Sequence, residues 1–267
     1  MKGVLTLAVH SLRRRRALLS VTALLLIAFQ FFMIIAARSL ELSGRFREFG
    51  ALLPAFVSEL TNMMAASFAG FALFGYSHPL VQLFLVATAI GVASEPATEV
   101  ETKFIDLLLA RPQHRSVVIN RTIVVLVVAG VGAMLSMLLA TWAGLRWLAP
   151  PTARLPEPRV IVSLATNLTC LTLAWGGIAL ALASVSTRRT TVVAVSGLLA
   201  FAAFVLDYVG RFWDVVKPIA RASPFHYFDP FALIGGRPLA TSDVVTLLAI
   251  FIAGAVIANV AYARRDL

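Results

Sequence analysis

Six stretches of this sequence run for 17 residues or more without a formal charge, and they constrain the fold more than any other feature. They cover residues 17–37, 62–94, 122–145, 160–187, 190–206 and 244–263. The hydrocarbon core of a bilayer is about 30 Å thick, and roughly 20 apolar helical residues cross it. Barrel strands would alternate over short segments, whereas these stretches are long and continuously apolar. Composition agrees, because 60% of the residues are hydrophobic and 13% charged, too few polar groups to cover a water-facing surface. The expected fold class is an all-α integral membrane protein with six transmembrane helices.

The spans are expected near 17–37, 79–96, 122–145, 160–187, 190–209 and 244–263, within one transmembrane domain over 17–267. Arg13, Arg14, Arg15 and Arg16 precede the first. A secretory signal begins in the same way, but its apolar core runs only about 7–15 residues, so a retained anchor is expected. Before it, Leu5, Ala8, Val9 and Leu12 fall at i, i+3, i+4 and i+7. That spacing gives an interfacial amphipathic helix over 1–16, its arginines against anionic headgroups; a disordered basic tail is the alternative. As one helix, 62–94 would be about 50 Å long, too long for one span and too short for two. Pro79 lacks a backbone donor and favours a break there. The expectation is a re-entrant or interfacial helix over 62–74 before the second span, with a single long kinked helix as its competitor.

The formal net charge is +10, yet the arginines punctuate apolar runs and do not interleave with aromatics, so no nucleic-acid partner is expected. An even number of spans puts both termini on one side, where Arg13 to Arg16, Arg188, Arg189, Arg264 and Arg265 then gather. The positive-inside rule makes that side the cytoplasm, at the inner or plasma membrane. The outward segments become 38–61, 146–159 and 207–243.

No Gly-Lys pair exists in the chain, so it has no P-loop. The zinc-protease and serine-elbow patterns are absent, His10, His78, His114 and His226 lack ligand spacing, and Cys170 is a lone cysteine in an apolar run. No catalytic residue, metal or cofactor of its own is expected. Span centres hold no ionisable group, which argues against ion-coupled transport. Gln30, Gln82, Asn167 and Asn259 suit either interhelical hydrogen bonds or a substrate path. Gly132, Ser136, Ala140 and Gly144 form a small-residue stripe for close helix approach. Asp207 marks the end of the fifth span, and His226 suits loop packing.

The long segment 95–121 sets Glu95, Glu99, Glu101 and Asp106 beside Lys103, Arg111, Arg115 and Arg121, around Leu107, Leu108 and Leu109. Ile105, Leu108 and Leu109 share a helical face, and Pro112 ends the helix beyond Arg111. An amphipathic cytoplasmic helix of this kind suits partner docking, or simply lies on the membrane surface.

In this segment the sequence resembles the type-2 ATP-binding-cassette permease family. Glu99, Glu101, Ile105, Asp106, Leu107, Leu108, Leu109, Ala110, Arg111, Pro112 and Arg115 stand at the family's acidic residues, leucine run, Ala-Arg-Pro and following arginine. Lys103-Phe104 replaces its usual Gly-Thr. Ser223-Pro224-Phe225 with Tyr227 looks like the loop before the family's last span, and Arg264-Arg265-Asp266-Leu267 like its ending. The resemblance implies a permease that dimerises with itself or a second permease and binds separate ATP-binding subunits, which hold ATP and magnesium. It makes 95–121 the coupling helix to that ATPase, through Glu99, Glu101, Asp106, Leu107, Leu108, Arg111, Pro112 and Arg115. It also implies export, with 207–243 capping the route. The rival classes are a membrane-embedded enzyme, for which the spans offer no convergent polar groups, and a non-transporting assembly or sensor subunit. Lipids, drugs, peptides and glycans all remain open as substrates.

Overall fold

The computed structural model describes residues 2–46, 67–103 and 115–265. Residues 62–66 of the expected second apolar helix, and Asp106, Leu107, Leu108, Arg111 and Pro112 of the expected coupling helix, lie outside the described residues. The described chain is helical throughout its long elements, in the order α1 (Lys2–Arg14), α2 (Arg16–Ser43), α3 (Phe68–Ser77), α4 (Pro79–Ala93), α5 (Glu95–Glu101), α6 (Ser116–Leu148), α7 (Pro158–Val185), α8 (Arg189–Gly210), α9 (Lys217–Ala220), α10 (Pro230–Ile234) and α11 (Thr241–Ala263). A 3-10 turn, Pro224–Tyr227, lies between α9 and α10. Among the described residues, six segments are long and apolar enough to cross a membrane: α2, α3 with α4, α6, α7, α8 and α11. The protein is an all-α integral membrane protein.

Packing is ordered from the centre outwards. In its most apolar stretch, α7 is 72% buried, against 22% for both α8 and α11. α7 rests on α11, α4, α6 and α8. The two most buried spans, α7 and the α3–α4 pair, are also the least hydropathic, while the exposed ones are the most hydropathic. A water-soluble bundle would show the reverse, since lipid-facing helices need apolar surfaces all round. Phe32, Leu139, Leu198 and Ile252 accordingly stand exposed along α2, α6, α8 and α11. Trp142, Trp147, Tyr208 and Trp213 are exposed at the ends of α6 and α8, in the manner of an aromatic belt.

Span boundaries follow local chemistry. α2 continues six residues past the expected end at residue 37 and stops where Gly44 takes a left-handed φ of 66°. Arg38 and Glu41 thus ride on helix beyond the apolar run, where long side chains reach headgroup depth. α6 begins at Ser116, ahead of the expected residue 122, because Arg121 is neutralised by an ion pair inside the bundle. Its end at Leu148 leaves Ala149 extended before Pro150.

The second span differs most from expectation. Helix runs over 68–77 and again over 79–93, broken at His78, whose φ of −66° and ψ of 126° are extended. Pro79 occupies the first position of α4, and the His78 ring nitrogen accepts from the Leu80 N–H. Phe68 packs beside Ile34 and Leu148, whereas Gly75 lies against Gln30 and Met137, so α3 descends from one end of the bundle towards its middle. The segment expected at 79–96 is therefore the second half of a broken span whose first half is α3. Ser94 turns the chain from α4 into α5.

The N-terminal helix is present as α1, with one side packed into the bundle and the other facing out. Ala8 and Ser11 are buried, whereas Leu5 and Val9 are exposed. α1 lies mainly against α6.

The small-residue stripe on α6 divides along its length. Gly132 has open space around it, whereas Gly144 faces Ile34 of α2. Among the described glycines, the closest backbone-to-backbone crossing is elsewhere, between Gly177 of α7 and Gly254 of α11. A Cβ on Gly177 would lie 2.8 Å from the Phe251 Cα, and one on Gly254 would overlap the Gly177 carbonyl. Both obstacles are backbone, so relief requires moving a helix. Gly254→Ala should therefore destabilise the detergent-solubilised protein by about 1–3 kcal/mol. Gly132→Ala should be neutral or stabilise by about 0.5–1 kcal/mol through helix propensity. Thermal unfolding followed by tryptophan fluorescence distinguishes the two, and equal effects would contradict the close crossing.

Candidate functional site

Contacts between helix ends and interhelical turns gather the α1–α2 junction and the end of α11 at one end of the bundle, here the basal end. Segment 95–103 and the start of α6 sit there, flanking residues 104–114. Glu95, the first residue of α5, is fully buried. Its carboxylate lies 2.5 Å from Arg14 Nη2 and 3.4 Å from Arg15 Nε, and it accepts from Ser11 Oγ at 3.3 Å. Arg15 Nη1 donates to the Gly91 carbonyl at 3.0 Å, fixing the α1–α2 junction to the end of α4.

One helical turn on, Glu99 is also buried, and Arg121 Nη2 of α6 stands 2.9 Å from both its oxygens. Glu101, exposed, accepts from the Arg189 N–H at 2.9 Å and so places a carboxylate on the first turn of α8, where the helix dipole favours it. Arg115 donates to the Arg265 carbonyl, and Arg265 Nη1 donates to the Ser184 and Ser186 carbonyls at 3.1 and 3.0 Å, closing the end of α7. Every span thus has its basal end tied to a residue flanking 104–114, directly or through Arg265.

Burial sets the electrostatics. It pushes the Glu99 carboxyl above the ordinary carboxylate range, against the pull of Arg121. It lowers Arg15 from the usual guanidinium value, with Glu95 opposing and Arg14, Arg189 and Arg121 adding to the shift. Arg15 Nε, Arg121 Nε and Glu95 Oε2 are buried without a hydrogen-bond partner among the described residues.

Lys103 ends α5 with a φ of 56°, in the left-handed region that favours glycine. The local turn therefore has the geometry a glycine adopts, held by a lysine.

The opposite, distal end carries the loop containing Ser223 to Pro230. It reaches into the bundle, where Asn167 of α7 donates to the Tyr227 carbonyl at 3.1 Å. Phe225 is buried between Trp175 and Phe204, with ring centroids 5.7 and 5.4 Å away. Asp207, near the end of the fifth span as expected, is buried. Arg211 grips it with Nε and Nη2 at 3.0 and 2.9 Å, and His226 Nδ1 lies 3.6 Å away. A cavity of about 190 Å³ opens beside this pair, between the His78 break, α8 and the loop, lined largely by aromatic rings.

The polar interruptions in the spans all make protein hydrogen bonds: Gln30 to the Ala72 carbonyl, Gln82 to that of Ser77, Asn167 to the loop, and Asn259 to Ala255 and Asn120. Among the site residues expected from sequence, Glu99, Glu101 and Arg115 are described, and each contacts a different neighbour. Sequence reasoning sets Arg121 in the same segment as Glu99 but misses the partners Arg14, Arg15, Arg189 and Arg265. Their signal is the gathering of the basic clusters on the side of the 95–121 loop, which gives topology and not contacts.

No family model matches the chain, and no curated protein matches it.

Removing one member of a buried ion pair leaves an uncompensated charge. Arg121→Met should cost about 3–5 kcal/mol of stability, and adding Glu99→Leu should restore most of it. Additive losses in thermal unfolding of the single and double variants would show that the two groups act independently. Lys103→Gly should stabilise by about 0.5–1 kcal/mol by relieving the left-handed backbone, less the freedom glycine gains when unfolded. A loss of melting temperature in that variant would contradict the assignment.

Proposed function

We propose that this chain is the membrane-spanning permease subunit of an ATP-driven exporter, coupling hydrolysis by a separate ATP-binding subunit to substrate movement. The observation that carries this reading is the convergence on the segments flanking 104–114, where α1, α4, α6, α7, α8 and α11 are all held by ion pairs or hydrogen bonds. A segment so placed can transmit displacement to every span, which a mere surface helix has no need to do.

In this reading the basal end is cytoplasmic and the protein lies in the inner or plasma membrane. Glu99, Glu101, Asp106, Leu107, Leu108, Arg111, Pro112 and Arg115 form or support the docking helix for the ATPase, which brings its own ATP and magnesium. The pattern of these residues supports the assignment, as does the glycine-like turn at Lys103. The permease pairs with itself or with a second permease, and the distal loop caps the route. ATP-driven closure of the partner subunits shifts the pair between inward- and outward-facing states through differential binding.

The test is gentle affinity purification from native membranes, followed by ATPase assay of the complex with wild-type chain and with Arg111→Glu. A co-purifying ATPase whose coupled turnover falls about tenfold or more in the variant is the expected result. Co-purification of a different cytoplasmic protein without ATP turnover would replace the permease reading with that of an assembly or sensor subunit. An ATPase indifferent to Arg111→Glu would remove the docking role from this helix.

A further inference from the structure

Between the α1–α2 junction, α5 and the start of α8 lies an open pocket of about 470 Å³ lined by Arg14, Arg15, Thr98, Glu99, Thr102 and Arg189. The charges around it do not balance. Arg14, Arg121 and Arg189 are each close enough to repel Arg15, and two buried carboxylates, Glu95 and Glu99, answer the four. Glu101 adds a third negative charge, directed at the Arg189 backbone N–H. Among the described residues one positive charge is left over around the pocket, before the exposed Arg13, Arg16 and Arg188 next in sequence are included.

The donors facing the pocket are also incompletely used. Arg14 is half exposed and gives Nη2 to Glu95. The Arg189 guanidinium has no hydrogen bond or ion pair with any described residue. Arg15 is directed at Glu95 and the Gly91 carbonyl. The threonine hydroxyls donate to the Ser94 and Thr98 carbonyls and so turn only lone pairs outwards. Glu99 is held by Arg121. An entering ligand therefore meets guanidinium forks and little competing negative charge, the arrangement that suits a phosphate oxyanion.

We infer that this pocket binds a phosphate group, with Arg14 and Arg189 as its principal donors and Arg15 behind them. The pocket sits where α2 enters the membrane, so the phosphate can belong to an anionic lipid headgroup or to a small soluble phosphate. Occupancy bridges α1, α5 and α8 and relieves repulsion among the arginines, so it stiffens the region beside 104–114. The inference stands independently of any ATPase partner.

The test uses the full chain purified in a neutral detergent. Phosphatidylglycerol, phosphatidylcholine of the same chain length and inorganic phosphate are titrated separately, with bound lipid read by native mass spectrometry and stability by thermal unfolding. Wild type should hold phosphatidylglycerol about tenfold more tightly than phosphatidylcholine. Arg189→Gln should lose about tenfold of that affinity, and Thr102→Glu, which sets a carboxylate on the rim without removing an arginine, should lose at least as much. Arg237→Gln, exposed at the distal end, should bind as wild type. Stabilisation by inorganic phosphate that competes with the lipid would identify a soluble phosphate as a source, and stabilisation by phosphatidylglycerol alone a headgroup; both support the pocket. The inference is overturned if wild type binds neither ligand, if Arg189→Gln and Thr102→Glu bind like wild type, or if Arg237→Gln loses as much as they do.

Discussion

The arrangement of this protein depends on how two buried carboxylates are answered. Glu95 and Glu99 follow immediately on an apolar span, on a helix of only seven residues that could not hold itself in place. Arg14 and Arg15 meet the first carboxylate from the N-terminal side, and Arg121 meets the second from α6. Desolvating such charges is costly, and a carboxylate left alone there would be protonated or expelled. The pairs therefore specify which helices may stand together at the basal end more than they add net stability. Around them, weaker interactions fall into register: Glu101 on α8, and Arg265 on the end of α7.

Much of the fold was legible in the sequence because lipid imposes a simple rule. Uninterrupted apolar length reports a span, and five of the six span positions follow from it to within a few residues, apart from the extended ends of α2, α6 and α11. The second span was ambiguous for a physical reason: its apolar run is longer than one straight span needs, and apolar length cannot say which side of a break belongs to the membrane. Helix ends also outran the charge-free windows, at the start of α6 because Arg121 is paired with Glu99.

The candidate site was less legible. Glu99, Glu101 and Arg115 could be singled out from local pattern, but pairing across the bundle cannot be read from spacing. Arg14 and Glu95 are 81 residues apart, and Arg115 and Arg265 are 150 apart. The burial of Asp207 was likewise hidden, since only the infolded distal loop removes it from water. Lys103 shows a similar limit, since a left-handed backbone at a lysine is not announced by the residue type.

The break at His78 alters what kind of mechanical element the second span is. α3 is registered against α2 through Gln30, and α4 is registered at its far end by Arg15 on the Gly91 carbonyl. Between those two anchorages the backbone ladder is interrupted, and the aromatic cavity and distal loop lie beside the gap. A continuous rod would carry a push from the basal end straight through. A jointed one converts it into a change of angle, and the site where that angle opens or narrows is the wall of the cavity itself.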